Sequence, residues 1–188
     1  AISTTNLDAL GTTNLAALTT GQVAKLTTTQ VGGLDTTTLG NLETTDLAAL
    51  TSTQVQAIST TTLNALGTTA LQALTTSQFA GLTTVPQVAG LTTTTLGNLE
   101  TTDLAALTTS QIQQISTTGI NNLGTTALQA LTSAQFAGMT TTQVGGLTTT
   151  TLDAMETRDI AALTSTQVQA ISTTNLDALG TTNLAAST

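Results

Sequence analysis

The sequence predicts a repeat solenoid, a chain wound into stacked and nearly identical units, and three observations carry that prediction. Leucine, isoleucine or methionine returns at every eighth residue from Ile2 to Leu179, with one slip of a single residue, which cuts the chain into twenty-three octads ending at Ala186. Aromatic residues, which normally fill a globular core of this size, are limited to Phe79 and Phe136, and Trp, Tyr, His and Cys are absent. The octads also share one internal pattern: LTTGQVAK, LTTTQVGG and LETTDLAA are typical.

Within the octad, position 1 is Leu, Ile or Met, the last at Met139 and Met155, and position 6 is apolar throughout, from Leu7 and Leu15 to Leu184. Position 3 is Thr or Ser, with Ser only at Ser52, Ser133 and Ser165. Position 8 is Ala or Gly in eighteen octads. Two inward apolar rows, one hydroxyl row and one small-residue row are therefore expected along the whole chain. Spacings of five and three do not alternate, so a flat amphipathic strand fails. A continuous helix fails too, because eight residues at about 3.6 per turn would spread the leucines around the axis. The chain has to bend once per octad.

A helix-start signature supplies the bend. Thr-x-x-Gln occurs at Thr19-Gln22, Thr27-Gln30, Thr51-Gln54, Thr75-Gln78 and Thr132-Gln135. In such a capping box the Thr hydroxyl accepts from the amide three residues on, and the Gln side chain reaches back to the cap. The apolar residues at positions 1 and 6 then occupy the two sites of a hydrophobic staple. Ser3, Gly11 and Asp35 also suit the cap position, whereas Glu43, Glu100 and Glu156 suit it poorly. The preferred reading is a solenoid of short helices, each octad a corner plus one or two helical turns.

A β-solenoid is the alternative. Residues 5–9, 45–49 and 77–81 (TNLDA, TDLAA, SQFAG) resemble units of the pentapeptide-repeat family, although a three-residue insert breaks that family's period each time. The threonine content and the row at position 3 favour this alternative, as do turns at Gly32-Gly33 and Gly145-Gly146. A single octad buries too little to fold alone under either reading, so the units must come in series.

Residues 1–188 are expected to form one continuous array with a longer rhythm. ISTT begins at Ile2, Ile58, Ile115 and Ile171, marking a super-repeat of seven octads, and residues 2–17 are identical to 171–186. Segmental duplication explains that rhythm; a match to whole superhelical turns is the geometric alternative. The one-residue insertion lies within 82–90 (LTTVPQVAG), where Pro86 removes an amide donor and a bulge or corner is expected. The chain opens and closes inside a repeat, so it is expected to be a segment of a longer array.

Charge and chemistry narrow the function. Lys25 and Arg158 are the only basic residues against ten acids, for a formal charge of −8. A nucleic-acid partner needs a basic face that two cations cannot form, and membrane insertion needs an apolar run of roughly 18 residues that the chain lacks. Without His or Cys, nucleophile activation lacks its usual base, so the expectation is no enzyme, no small-molecule substrate, no cofactor and no catalytic residue. The acid pairs Glu43/Asp46, Glu100/Asp103 and Glu156/Asp159 fall short of a calcium site and are expected to serve solubility. Rows of threonine on a regular scaffold resemble ice-binding surfaces, which makes an ice- or glycan-binding module the alternative function, although such surfaces use Thr-x-Thr ladders where this chain has runs such as Thr92-Thr93-Thr94-Thr95.

As a whole the octads resemble the Leu-Thr-Thr-x-Gln-Val arrays of very large bacterial surface and secreted proteins, often labelled adhesin-like. That resemblance implies an extracellular, threonine-rich structural protein. It would be a filament or the stalk of a larger cell-surface protein, whose partner is more of the same array.

Overall fold

The computed structural model describes residues 3–179, apart from the side chains of Thr4, Asp8, Thr12, Leu15 and Ala178. The last octad beyond Leu179, with Leu184 and Ala186, lies outside the described residues. Packing groups the chain into two compact units, Ala1–Leu99 and Glu100–Thr188, built by the same rules.

The described octads other than 82–90 fold as short α-helices, most of them joined by extended corners, and no strand occurs among the described residues. Helices run from four residues, as in Thr20–Val23, to seven in Gly124–Ala130. The corner is made by two residues. Leu50, for example, closes one helix at φ −60°, ψ 137°, and Thr51 caps the next at φ −70°, ψ 154°. All five capping boxes expected from the sequence form, and Thr108-Gln111, Thr140-Gln143 and Thr164-Gln167 add three more. Ser3 and Asp35 cap through their side chains, and Glu43, Glu100 and Glu156 do not.

Gly11 departs from expectation. It is the first helical residue of Gly11–Leu15 rather than a cap, held at φ 71°, a left-handed conformation that residues with a Cβ rarely adopt. Gly124 starts its helix the same way at φ 74°.

Helices stack on those three octads away. In the first unit Thr28–Gly32 packs on Ser52–Gln56 and Thr44–Ala49 on Thr68–Ala73; in the second, Thr109–Ile112 packs on Ser133–Gly138 and Thr141–Gly145 on Ser165–Ala170. The position-6 row is buried from Leu7 to Ile160 wherever its side chains are described, then half-buried at Val168 and Leu176. The position-1 row is buried from Leu34 to Leu82 and from Leu99 to Leu179. Leu10, Leu18, Leu26 and Leu91 are only half-buried, against the expectation of an unbroken inward row. The outermost octads have a packing neighbour in this chain on one side only, and Leu91 directly follows the irregular octad.

The other two rows meet. An added Cβ on Gly81 would lie 2.8 Å from Ser52 Cβ, and one on Gly138 would lie 2.7 Å from Thr109 Cγ2. Position 8 is thus small where it abuts the hydroxyl residue at position 3 of the octad three units earlier.

Candidate functional site

The polar groups that the fold takes inside stand at one place. Among the described residues, the thirteen buried polar side chains, including Gln54, Gln78, Gln135, Gln143 and Gln167, occupy position 5 of their octads, with Gln87 at the equivalent place in the nine-residue octad. The position follows from the helix start. Three residues beyond the cap, the side chain folds back over the corner and lies against the preceding coil.

A glutamine there does two jobs. Its Oε1 accepts from the cap amide, as from Thr108 N to Gln111 at 2.7 Å and from Thr140 N to Gln143 at 2.9 Å. Its Nε2 donates across to carbonyls at the end of a helix four octads earlier. Gln87 donates to Val55 O and Ile58 O at 2.9 Å each, Gln143 to Ile112 O and Ile115 O at 2.8 Å each, and Gln135 to Leu104 O at 2.8 Å and Leu107 O at 2.7 Å. The first carbonyl of each pair already accepts from the corner amide, as Val55 O does from Ile58 N and Ile112 O from Ile115 N at 3.1 Å each, so one glutamine amide gives it a second bond, meets the corner carbonyl beside it and joins two coils.

At Thr95 and Thr151, where the position-5 side chain is too short, an asparagine from four octads back fills the gap. Asn64 Oδ1 accepts from Thr92 N at 3.0 Å and from Thr95 Oγ1 at 2.8 Å, and its Nδ2 donates to Gly90 O at 2.8 Å. Asn121 repeats this with Thr148 N, Thr151 Oγ1 and Gly146 O.

Position 7 makes a second ladder. Gln56 donates to Gly81 O at 2.6 Å, Gln113 to Gly138 O at 2.7 Å and Gln129 to Ala154 O at 3.2 Å, each three octads ahead. At Gly32 and Gly145, which also stand at position 7, the carbonyl comes closer still: an added Cβ would lie 2.7 Å from Ala57 O and from Ala170 O. One ladder reaches four octads back and the other three octads ahead, so a turn takes three to four octads.

The acid pairs are divided rather than gathered. Glu43 and Glu100 are exposed and Glu156 half-buried, while Asp46, Asp103 and Asp159 are buried at position 5. Arg158 Nε lies 2.8 Å from Glu156 Oε2 and 3.6 Å from Asp159 Oδ1. Ser133 Oγ donates to Asp159 Oδ1 at 2.6 Å. Among the described residues no three His, Cys, Asp or Glu side chains gather as metal ligands, and no helix is long and apolar enough to cross a membrane. The hollows are modest: about 70 Å³ beside Ile120, Asn121, Gly124 and Leu128, and about 310 Å³ beside Leu7, Leu18, Gln22 and Leu26. Asp35 accepts from Thr38 N at 2.7 Å, and those bonds to Thr38 hold its carboxyl below the usual carboxylate value.

The sequence reading found the cap half of position 5 and missed the inter-coil half. The usable signal was periodic. Asn at position 7 in octads 58–65 and 115–122 precedes Thr at position 5 by four octads each time.

The model of the ALTTAQ repeat family matches residues 1–36, 120–149 and 152–186, more than half of the chain. The chain belongs to the ALTTAQ repeat family. No curated protein matches it.

Proposed function

We propose that this ALTTAQ-repeat chain is a structural, non-enzymatic protein of the bacterial cell exterior, working as a filament or as the stalk of a larger surface protein. Its partner is the same array, continued in the chain or supplied by another copy. The observation that supports this reading is where the buried polar groups go. Position-5 amides bond main-chain carbonyls of another coil, so the side chains best placed for chemistry are occupied in holding coil to coil. Each further octad presents the same apolar pair, amide and carbonyls, and a molecule with that interior gains length rather than a site.

Electron microscopy of the purified chain, beside variants longer and shorter by one seven-octad super-repeat, tests the reading. The expected result is thin rods or fibres whose length grows with octad number. Compact particles of constant size, with measurable thermal hysteresis of ice growth, overturn it in favour of the ice-binding alternative. The threonines divide among caps, inter-coil bonds and exposed first-turn positions.

A further inference from the structure

Three octads place a carboxylate where the others place an amide donor. Asp46 is 1% exposed and Asp159 0%, and Oδ2 of each meets no hydrogen-bond donor. Asp103 stands at the same octad position with the same burial. At Asp159 the local donors go to the other oxygen, Oδ1, which takes Ser133 Oγ and lies nearest Arg158 Nε. The Arg158 side chain is 62% exposed, so its charge stays at the surface while Oδ2 faces inward.

The glutamine octads show what position 5 faces. Gln135, Gln143 and Gln167 each set Nε2 between two carbonyls, 31 and 28 residues earlier in the chain. The same offsets from Asp159 fall on Leu128 and Leu131, and those from Asp46 fall on Leu15 and Leu18. Leu128 and Leu131 lie at the end of Gly124–Ala130, the negative pole of the helix, where Leu128 O accepts from Leu131 N at 3.1 Å and keeps a second lone pair. An ionised aspartate is shorter than glutamine by a methylene and carries no N–H. Set where glutamine sets its amide, it brings acceptor toward acceptor away from bulk water, an arrangement that needs positive charge.

We propose that the octads of Asp46 and Asp159 each hold a small hard cation between the aspartate Oδ2 and the two helix-end carbonyls of the earlier coil. Oxygen donors of mixed carboxylate and carbonyl type are those that calcium and similar ions take. The site needs only one carboxylate because the main chain supplies the remaining protein oxygens. The glutamine octads are then the metal-free form of the same joint, with an amide in place of carboxylate plus ion.

The test uses the full chain freed of metal by chelation. Far-UV circular dichroism melts near neutral pH compare calcium, magnesium and sodium chlorides with choline chloride at matched ionic strength, and calorimetry counts bound ions. The expected result is a saturable rise of the melting midpoint with a metal ion over choline, with one ion for each of Asp46 and Asp159. The double variant D46Q/D159Q, which restores the amide used elsewhere, should melt above the metal-free parent and lose the response. If the double variant does not fold, Asp159→Asn alone serves, and should lower the count by one ion. A parent indifferent to every metal ion overturns the proposal. So does a variant that responds like the parent, or a parent that acid alone stabilises, since a proton would then bridge the oxygens.

Discussion

The octads 74–81 and 82–90 are adjacent and nearly the same in sequence, LTTSQFAG and LTTVPQVAG, yet only the first forms an α-helix, Thr76–Ala80. The second has one more residue and a proline without an amide donor, and it yields only the 3-10 turn Val88–Gly90, with Val85 65% exposed. What survives in both is the joint. Thr75 N donates to Gln78 Oε1, and Thr83 N donates to Gln87 Oε1 at 3.0 Å, although cap and glutamine are now four residues apart instead of three. Gln78 reaches Leu47 O and Leu50 O, as Gln87 reaches Val55 O and Ile58 O. Phe79 and Val88 are equally buried. The coil requires the glutamine link and the apolar pair, and the extra residue bulges out between cap and link, where the insertion led one to expect it. Helix is the usual way to reach that arrangement, and octad 82–90 shows that it is not the only way.

Register is the strongest lever on this comparison. Deleting residues 74–77 removes half an octad and throws every later apolar residue of the unit out of phase, so its cooperative melting transition should vanish. Deleting the whole octad 74–81 keeps both rows in phase and should lower the melting midpoint while leaving a cooperative transition. Equal damage from the two deletions, followed by circular dichroism, would mean that the octad is not the structural unit.

Truncating the link comes next in size. Gln78→Ala and Gln87→Ala each strip the cap amide of its acceptor and leave a corner carbonyl, Leu50 O or Ile58 O, without its donor, at a cost of about 2–4 kcal/mol in urea unfolding. The two losses should be similar. A Gln87→Ala variant that unfolds with Gln78→Ala only half as costly by comparison, or the reverse, would show that helix formation sets the value of the link.

The smallest effect is one of pH. Both octads open on neutral threonine caps, whereas octad 34–41 opens on Asp35, whose carboxyl is held below its ordinary value of 3.8 by its bonds to Thr38. A depressed value means that the ionised cap stabilises the fold above the ordinary value and that this contribution is lost as pH falls through the folded one. Protection of the Thr38 amide against hydrogen exchange should therefore weaken on acidification, while that of Gln78 N, bonded to Thr75 Oγ1, stays level. Asp35→Asn should keep the cap and abolish the pH dependence.

Much of this was legible in the sequence. Positions 1 and 6 announced the core because apolar side chains in a strict period have one way to leave water together. Thr19-Gln22 and its equivalents announced the helix starts because a capping box is a local bond set, closed within four residues. The division of Glu156 from Asp159 was not legible. Three residues apart on a helix start, they are neighbours in sequence terms, but the coil beneath one and the solvent beside the other are placed by the stack.

The sequence by itself determined the octad, its bend and its two apolar rows, since these rest on interactions spanning eight residues or fewer. Only the tertiary structure decided which coil each octad would meet. The bonds from Gln87 to Val55 and Ile58, and from Thr95 to Asn64, join residues some thirty apart, and their partners depend on how many octads complete a turn. That number follows from how closely Gly81 lets one coil approach Ser52 of another, a distance set by packing between coils and written in no single repeat.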